Sequence, residues 1–517
     1  MKSRSQVLHK ITRGAVVTAL LALAGCGSSS TTNSDSTDSA PTTSVAPFVP
    51  ASFVWKACDD SASTTSVQCS TLDVPYDYNN PSSGSFTLYV KLRPATNPSL
   101  RIGSMMVNPG GPGFGGSSIA DDADYYFSSD LTDHFDIIAW DPRGTGKSTP
   151  AVDCVDDYDQ YFGIDSPPDT PEEKQALIDA SQAFNDECMA NSGEILPYIS
   201  TQASATDMNS IRQALGEDKI SYFGFSYGSE LGATWATMFP QTVRAAVLDG
   251  AVDPNATSAE EGMAQAKGFE GQLATFLAAC SKNKACEFHN GGKSEAAFDA
   301  LLLDLDAKPL VVSADRTPVT QGVAFTAVAQ AMYSDYYWAQ LENALADAQQ
   351  GDGAGLLMLY DDYYQRKNDG SYGNELEAFL AISCLDDPGA TSIEQVDAAV
   401  PAFIAAAPRL GANFGYGYSC ALWPVKPATK VDATGKGAGP IIVIGTTGDA
   451  ATPLASTRKM AAALEQGILL IVEANQHTGY GINDCINTAV DSYLINLTVP
   501  VRLMREDRKS TRLNSSH

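Results

Sequence analysis

The stretch that most constrains this chain is KISYFGFSYGSELGATWATMF, at residues 219–239. Lys219 to Phe225 predicts a short buried strand, and Tyr227 to Phe239 predicts a helix without proline. The segment GFSYG therefore lies where a strand turns sharply into a helix, an arrangement called a nucleophile elbow. Its glycines lack a Cβ and let neighbouring chain pass close by. We expect Ser226 to be a nucleophile, raised above the sheet beside N–H groups that can stabilise an oxyanion.

Short apolar strands are predicted on both sides of this elbow, with helices between several of them. The alternation indicates an α/β fold whose central sheet is mostly parallel and covered on both faces. The predicted strands are 70–74 and 85–93, joined by a turn at 79–84, then 103–107, 137–140, 219–225, 245–248, 440–444 and 468–472. A helix is predicted over 205–215, and residues 150–200 are expected to be an irregular surface excursion.

A long segment with helical periodicity separates the predicted strands at 245–248 and 440–444. From Gly250 to about Pro424, apolar residues recur at helical spacing, which predicts a large helical cap inserted before the last strands. Such a cap would lie over the strand ends, where α/β sheets bind ligands. The expected organisation is a lipoprotein-type signal peptide (1–26), a Ser/Thr-rich tether (27–52), the N-terminal part of the core (53–250), the cap (251–425), the C-terminal part of the core (426–505) and a non-native tail (506–517).

The N-terminus predicts export. Basic residues precede the apolar run Ala15 to Ala24, which is too short to span a bilayer and typical of a secretory signal. The run ends in LAGC, which resembles a bacterial lipoprotein cleavage box with Cys26 as the lipidated residue; the alternative is an ordinary signal peptide that happens to contain a cysteine. A lipid-anchored or secreted protein outside the cytoplasm is therefore expected, with membrane contact only through the anchor.

The net charge limits the classes of binding partner, and the cysteine content bears on the redox compartment. The formal net charge of -28 argues against nucleic-acid binding. Export makes the cysteines disulfide candidates. Pairing of nearest neighbours joins Cys58 with Cys69, Cys154 with Cys188, Cys280 with Cys286 and Cys384 with Cys420. Cys485 is left over, and the segment DRKSTRLNSSH at 507–517 resembles translated cloning sequence that has replaced the natural end.

The expected chemistry needs a base and an acid beside the serine. His477 is the candidate base by elimination, since His9 is in the signal, His517 in the tail, His134 before a strand and His289 in the insertion. Asp449 follows the strand at 440–444 and would hold the imidazole, which gives the chain order Ser, Asp, His. The rival acid is Asp249, and Asp449 could instead cap a helix.

An oxyanion hole would need two N–H donors. Tyr227, which follows the nucleophile, supplies one, and a glycine of the loop 108–113, Gly111 above all, supplies the other. The side chain of Tyr227 could serve only for packing.

Of two nucleotide-binding patterns, one is disfavoured and the other is rejected. No cofactor and no metal are expected. Gly111, Gly113 and Gly116 match a dinucleotide fingerprint, but Pro112 stiffens that turn and the pattern leaves the elbow unexplained. The segment ending in Gly146-Lys147-Ser148 has Asp141 where a phosphate-binding loop needs glycine.

Several ordered motifs carry a family resemblance. These are NPGGPG (108–113), WDPRGTGKS (140–148), ATDMNSIRQALG (205–216), FGFSYG (223–228), LDGAVDP (248–254), GDAATP (448–453) and QHTGYG (476–481). Over residues 55–494 the chain resembles the exported tripeptidyl aminopeptidase-type α/β-hydrolases of actinobacteria, serine exopeptidases related to prolyl aminopeptidases.

The resemblance implies a triad of Ser226, Asp449 and His477, an oxyanion loop at Gly110 and Gly111, and release of short peptides from free N-termini. Members often end in a cysteine, which would pair with Cys485. The chain departs from the family at Glu230, usually aromatic or apolar, which could bind a substrate amine or pair with a cation.

We therefore expect a lipid-anchored serine aminopeptidase that releases di- or tripeptides from peptide substrates through an acyl-enzyme. The alternatives are an esterase or lipase with the same triad, and an inactive surface binding protein. Oligomeric state, side-chain preference and the acid that binds the substrate amine stay open.

Overall fold

A computed structural model describes residues 48–58 and 66–500. The predicted signal peptide with Cys26, the tether up to residue 47 and the predicted tail lie outside these described residues. Within them, no helix combines the length and apolar character needed to cross a membrane.

One nine-stranded sheet forms the centre of the described chain, in the order β1-β2-β3-β5-β4-β6-β7-β8-β9. Strands β4 to β9 are parallel to one another, whereas β1, β2 and β3 form an antiparallel edge, and β3 pairs with β5 in the antiparallel direction. The strands are Lys56–Ala57 (β1), Gln68–Asp77 (β2), Asn80–Arg93 (β3), Gly103–Asn108 (β4), Phe135–Trp140 (β5), Ile220–Phe225 (β6), Val243–Asp249 (β7), Ile441–Thr446 (β8) and Gly467–Val472 (β9). Strands β4 and β8 are buried at every residue because helices cover both faces.

Helices pack on this sheet before β7 and after β8. They are Ala123–Tyr126 (α1), Ser129–His134 (α2), Asp159–Phe162 (α3), Pro171–Ser192 (α4), Thr201–Ala214 (α5) and Tyr227–Met238 (α6), and, near the C-terminus, Leu454–Ala463 (α16) and Asp484–Asn496 (α17). The observed α/β sheet confirms the predicted fold class.

The cap lies between β7 and β8, as the change in periodicity predicts. It consists of Ser258–Lys282 (α7), Ser294–Ala307 (α8), Gln321–Met332 (α9), Trp338–Gln349 (α10), Ala354–Tyr363 (α11), Glu375–Asp386 (α12), Ile393–Ala406 (α13), Gly411–Gly415 (α14) and Tyr418–Ala421 (α15). Helices α7 to α11 form a separate apolar cluster that includes Phe276, Leu341 and Tyr360, whereas α12 packs into the core of the sheet through Ala378 and Ile382. Most of the cap thus has its own core.

Two sequence predictions are wrong in detail. Residues 150–200 are not irregular, because they contain the 22-residue helix α4. A capping box between Thr170 and Glu173, with Pro171 in the first turn, starts that helix. The predicted turn at 79–84 is also too long, since β2 and β3 pair down to Asp77 and Asn80 and form a tight hairpin.

A buried ion pair explains two of the motifs. The side chains of Arg143 and Asp207 are fully buried and 2.6 Å apart. Arg143 also donates to the backbone carbonyls of Pro75, Tyr76 and Tyr198, so its remaining N–H groups are satisfied. Removing one partner of such a pair typically costs about 3–5 kcal/mol, because the other charge stays buried. These motif residues therefore stabilise the core.

The four nearest-neighbour disulfide pairings are confirmed. Disulfides join Cys58 to Cys69, Cys154 to Cys188, Cys280 to Cys286 and Cys384 to Cys420. Among the described residues Cys485 is exposed and not disulfide-bonded.

Candidate active site

Ser226 lies at the junction of β6 and α6 in a strained backbone conformation. Its φ of 56° and ψ of -127° place it in the left-handed half of φ/ψ space, which non-glycine residues rarely occupy. The conformation is maintained because the Ser226 N–H donates to the Asp249 carbonyl at 2.8 Å. A Cβ on Gly224 would lie 2.3 Å from the Gly228 carbonyl oxygen, so the predicted close approach of the two glycines is present.

The loop after β4 passes directly beside this serine. A Cβ on Gly110 would lie 2.7 Å from the Ser226 Cβ, and Gly110 has a φ of 105°, which glycine adopts readily. The Gly110 N–H already donates to Asn108 Oδ1 at 3.0 Å. The N–H groups of Gly111 and Tyr227 have no acceptor within the described residues. They are therefore the pair of donors that remains available near Ser226.

The motif WDPRGTGKS at 140–148 supports the loop after β4 through Asp141. The Asp141 carboxylate accepts the N–H of Ser117 and the N–H of Lys147, both at 2.8 Å. A Cβ on Gly115 would lie 2.9 Å from Asp141 Oδ1. Asp141 therefore joins the turn after β5 to the loop after β4, and its carboxylate is directed inward.

His477 and Asp449 come together at the ends of β8 and β9. Nδ1 of His477 lies 3.0 Å from both carboxylate oxygens of Asp449. Asp449 also accepts the N–H of Thr452 at 2.8 Å and its hydroxyl at 2.9 Å. Burial lowers the pKa of His477, but the Asp449 carboxylate, its hydrogen bond and the charge of Asp249 outweigh burial and raise the pKa above its ordinary value.

Asp249, the rival acid, bonds to the loop after His477 and not to the imidazole. Its buried carboxylate accepts the N–H groups of Gly479 at 2.7 Å and Tyr480 at 2.8 Å. Burial raises its pKa to about 6, although these two hydrogen bonds oppose the shift. Because the Asp249 carbonyl accepts the Ser226 N–H, this one residue connects the elbow with the histidine loop.

The other ring nitrogen of His477 is unpaired. Nε2 is buried and has no hydrogen-bond partner among the described residues, Ser226 Oγ included. Ser226 and His477 nevertheless line one cavity of about 370 Å³. Hydrogen bonds between a nucleophile and its base are commonly long before substrate binds, so this geometry is compatible with proton transfer.

The cap is attached to the histidine loop. The His477 N–H donates to the Tyr333 carbonyl at 2.7 Å, and the Asp335 N–H donates to the Asn475 carbonyl at 3.0 Å. The ring of Tyr333 also meets the imidazole edge-on, with centroids 5.6 Å apart. The position of the imidazole thus depends on the cap as well as on the sheet.

A second cavity, of about 380 Å³, is also lined by Ser226, and His477 is not among the described residues that line it. It shares Gly111, Tyr333 and Phe379 with the first cavity. Five carboxylic acids line it, with Lys430 as the single basic residue in its lining: Glu230, Asp253, Glu261, Asp386 and Asp387. Its lining therefore favours a cation over an anion.

Glu261 is the exceptional acid of this set. Both of its carboxyl oxygens are buried, and neither accepts a hydrogen bond from a described residue in good geometry. Burial and the nearby charges of Glu230 and Asp253 raise its pKa to about 7, although the Asp253 backbone and Lys430 partly oppose this. A buried carboxyl group without a partner is costly, so a ligand that brings a cation or a hydrogen-bond donor to Glu261 would bind favourably.

Glu230, another acid of this cavity, has one basic neighbour. Its carboxylate lies 3.6 Å from Lys430 Nζ, so Lys430 is the cation that the sequence left unnamed. Burial raises the pKa of Glu230, and Lys430 opposes the shift. Glu230 also lines the acidic cavity, so both of its expected roles remain open to it.

Sequence reasoning missed Glu261, Asp386 and Lys430. Glu261 follows Glu260, which forms a capping box with Thr257, and two acids in a first helical turn are common. Nothing in the sequence distinguishes the one that lines a cavity from its exposed neighbour. The placement of all three residues depends on how the cap folds onto the sheet.

Comparison with known proteins identifies the family. The family profile described as "alpha/beta hydrolase fold" matches residues 103–484. The chain belongs to the α/β-hydrolase family.

This α/β-hydrolase is 34% identical over 470 residues to a serine protease, Hip1, of Mycobacterium tuberculosis, with 86% of the chain and 89% of the relative covered. It is 30% identical over 448 residues to the tripeptidyl aminopeptidase of Streptomyces lividans, with 83% and 81% covered. It is also 34% identical over 480 residues to carboxylesterase B of Mycobacterium tuberculosis, with 89% and 91% covered.

These relatives confirm the resemblance that the motifs carry. The chain is accordingly a serine hydrolase, and the protease and aminopeptidase among its relatives support a peptidase-type activity.

Proposed function

We propose that this α/β-hydrolase is an exported serine aminopeptidase that releases di- or tripeptides from free N-termini. The observation that carries the proposal is the acidic cavity beside Ser226, with the unpartnered carboxyl group of Glu261 in its lining. An enzyme that cleaves only near a free N-terminus must bind the terminal ammonium, and a desolvated carboxylate is the group that binds it most strongly.

The proposed catalytic residues are Ser226, His477 and Asp449. Ser226 Oγ attacks the scissile carbonyl carbon while His477 Nε2 takes its proton, and the same nitrogen then protonates the leaving amine. Asp449 stays ionised, accepts the Nδ1–H and stabilises the imidazolium. Water then hydrolyses the acyl-enzyme with His477 again as base.

The developing oxyanion would be bound by backbone N–H groups. Gly111 and Tyr227 are the proposed donors, because the Gly110 N–H is committed to Asn108. Gly110 then has the role of letting the loop approach Ser226. Removing one donor from such a site typically lowers kcat about 10²–10³-fold.

The two cavities support one direction of peptide binding. The leaving amine must lie near His477, which lines the first cavity, so the chain after the scissile bond would occupy that side. The released N-terminal peptide would occupy the acidic cavity, with its ammonium at Glu261. In this pose Glu261 gains the partner that it lacks, and Glu230 adds a second negative charge balanced by Lys430.

We propose export and lipid anchoring at Cys26 from the predicted cleavage box in the sequence. The four disulfides of the described chain support the same location, because disulfides persist mainly in oxidising compartments. Radiolabelled fatty-acid incorporation, compared between wild type and Cys26→Ala, tests the anchor. Equal labelling of the two proteins would exclude it.

A second candidate function is esterase activity, and the relative named carboxylesterase B favours it. The discriminating assay compares a tripeptide anilide with a free N-terminus, its N-acetylated form and a short acyl ester. We expect the free peptide to be cleaved and the acetylated peptide to be a poor substrate. Turnover of the ester alone would exclude the aminopeptidase.

Fluorophosphonate labelling tests the nucleophile and excludes an inactive binding protein. Wild-type protein should be labelled and Ser226→Ala should not. Ser383→Ala is the matched control, because Ser383 lines the acidic cavity but lies on α12 and not at the elbow. Labelling that survives in Ser226→Ala would reject the proposed nucleophile.

A further inference from the structure

A chain of hydrogen bonds joins the cap to the elbow. Asp386 is the last residue of α12 in the cap, and Thr201 is the first residue of α5 in the core. The Asp386 carboxylate accepts the Thr201 N–H at 3.0 Å and the Thr201 hydroxyl at 2.5 Å. The Tyr227 hydroxyl lies 2.5 Å from Thr201 Oγ1. Because Thr201 gives its only hydroxyl proton to Asp386, Tyr227 donates to Thr201.

The two hydroxyl-bearing members of this chain are buried, so their hydrogen bonds have few substitutes. Tyr227 is 9% exposed and Thr201 is 5% exposed. A buried hydroxyl that loses its partner keeps its full desolvation cost. The Tyr227 hydroxyl therefore has one favourable position, and the ring is held between that position and its backbone.

The backbone of the same residue lies at the reaction centre. Tyr227 is the first residue of α6, directly after Ser226, and its N–H has no partner within the helix. This N–H is one of the two proposed oxyanion donors. Anchoring the hydroxyl at the far end of the ring restricts the orientation of the peptide unit at the near end.

We propose that Asp386 and Thr201 are positioning residues, which hold Tyr227 through its hydroxyl so that its N–H stays directed at the oxyanion. The inference rests on the proposed acyl-transfer function. It adds a connection between subsites, because Asp386 also lines the cavity assigned to the released peptide. Seating of the cap on the core is thereby linked to the geometry of the oxyanion hole.

The test is a kinetic comparison of Tyr227→Phe, which keeps the ring and removes the hydroxyl, with wild type. The substrates are a tripeptide anilide and p-nitrophenyl acetate, which has no amine, and active protein is counted by fluorophosphonate titration. We expect kcat to fall about tenfold on both substrates with KM within twofold, because small misplacements of catalytic groups lower rates by up to about 10²-fold. Thr201→Val should give the same pattern.

Tyr418→Phe is the matched control. Its hydroxyl is also buried and bonded to a carboxylate, Asp397, at 2.8 Å, but it lies in α15 away from Ser226. We expect its kcat to stay at the wild-type value. The inference is overturned if Tyr227→Phe keeps kcat within twofold of wild type, or if Tyr418→Phe loses as much activity with a similar loss of Tm.

Failure of this inference is distinguishable from failure of the proposed function. If the enzyme hydrolyses esters only, the proposed aminopeptidase is wrong, but the effect of Tyr227→Phe on ester turnover still decides the role of the hydroxyl. If peptides are cleaved and Tyr227→Phe is unchanged, the proposed function stands and the positioning role is excluded.

Discussion

Two carboxyl groups at the same site, Asp449 at the sheet edge and Glu261 in the cap, have opposite surroundings. Asp449 accepts hydrogen bonds from Thr452 and His477 in a fully buried position. Glu261 is also buried at its oxygens but has no such partner, and its pKa is raised to about 7. Among the described residues the Asp449 carboxylate is thus satisfied without a ligand, whereas the Glu261 carboxyl group is not.

The difference suggests that the sheet edge carries out the reaction and that the cap selects the substrate. Reaction chemistry depends on groups fixed before substrate arrives, since preorganised dipoles cost no reorganisation during the reaction. Selectivity can instead use an unsatisfied group, because the correct ligand relieves a cost that an incorrect one leaves in place. Substitutions of the satisfied groups at the sheet edge should therefore change kcat, and substitution of the unsatisfied cap acid Glu261 should change KM.

The largest expected effect is at the elbow. Ser226→Ala should lower kcat about 10⁶-fold, the size of loss seen when a serine protease loses its nucleophile. Anilide hydrolysis measured with titrated protein checks this. Ser383→Ala should retain activity within about threefold, and a residual rate in Ser226→Ala above one per cent would show that another group attacks.

The second largest effect on kcat is expected at the two acids of the sheet edge, Asp449 and Asp249. Asp449→Asn should lower kcat about 10³–10⁴-fold, because the imidazole loses the acceptor that fixes its tautomer. Asp249→Asn should lower kcat much less, about 10- to 100-fold, since it disturbs the loop at Gly479 and not the imidazole itself. Steady-state kinetics of both variants decide which acid acts on His477. A larger loss of kcat in Asp249→Asn than in Asp449→Asn would assign the catalytic role to Asp249.

The third effect lies in the cap. Glu261→Gln should raise KM for free tripeptide anilides about 10- to 100-fold, because a hydrogen bond to a charged group contributes about 1.5–3 kcal/mol. Hydrolysis of p-nitrophenyl acetate should not change. The thermal midpoint should not fall, because an amide replaces a carboxyl group that burial penalises.

Glu260→Gln is the control for that variant, since it makes the same charge change on the exposed side of the same helical turn. Its KM should stay within twofold of wild type. Equal KM values for Glu261→Gln and wild type would remove Glu261 from the substrate site.

The smallest effect is on pH dependence. His477 must be neutral to act as base, and its pKa is raised by Asp449 and Asp249 despite burial. The acid limb of kcat/KM should therefore lie above pH 6.5, with activity lost as pH falls through it. Asp249→Asn removes one of the negative charges and should move the limb to lower pH. A limb that stays fixed would show that Asp249 does not act on His477 electrostatically.

The sequence predicts the sheet edge better than the cap, for a physical reason. The elbow, the strand ends before Asp449 and His477, and the glycine loop each depend on local patterns of strand, turn and helix. The contacts of Glu261, Asp386 and Lys430 instead depend on the packing of cap helices against the core, which no short pattern encodes. The sequence favours Asp449 over Asp249 only through the chain order Ser, Asp, His, because both acids follow parallel strands at the same edge.

Helix α4 was missed for a different reason, which is its exposure to solvent. Its capping box and first-turn proline were visible in the sequence, but its apolar residues make little periodic pattern, and only four of its residues are buried. Periodicity is a poor guide when a helix presents most of its surface to solvent. Capping residues predict such a helix better.

The most direct test of the central claim is a crystal structure of the protein after reaction with a tripeptidyl phosphonate that has a free N-terminus. We predict phosphorus bonded to Ser226 Oγ, a phosphonyl oxygen between the N–H groups of Gly111 and Tyr227, and the ammonium within hydrogen-bond distance of Glu261. A peptide bound in the opposite direction, with its ammonium in the cavity lined by His477, would contradict the account.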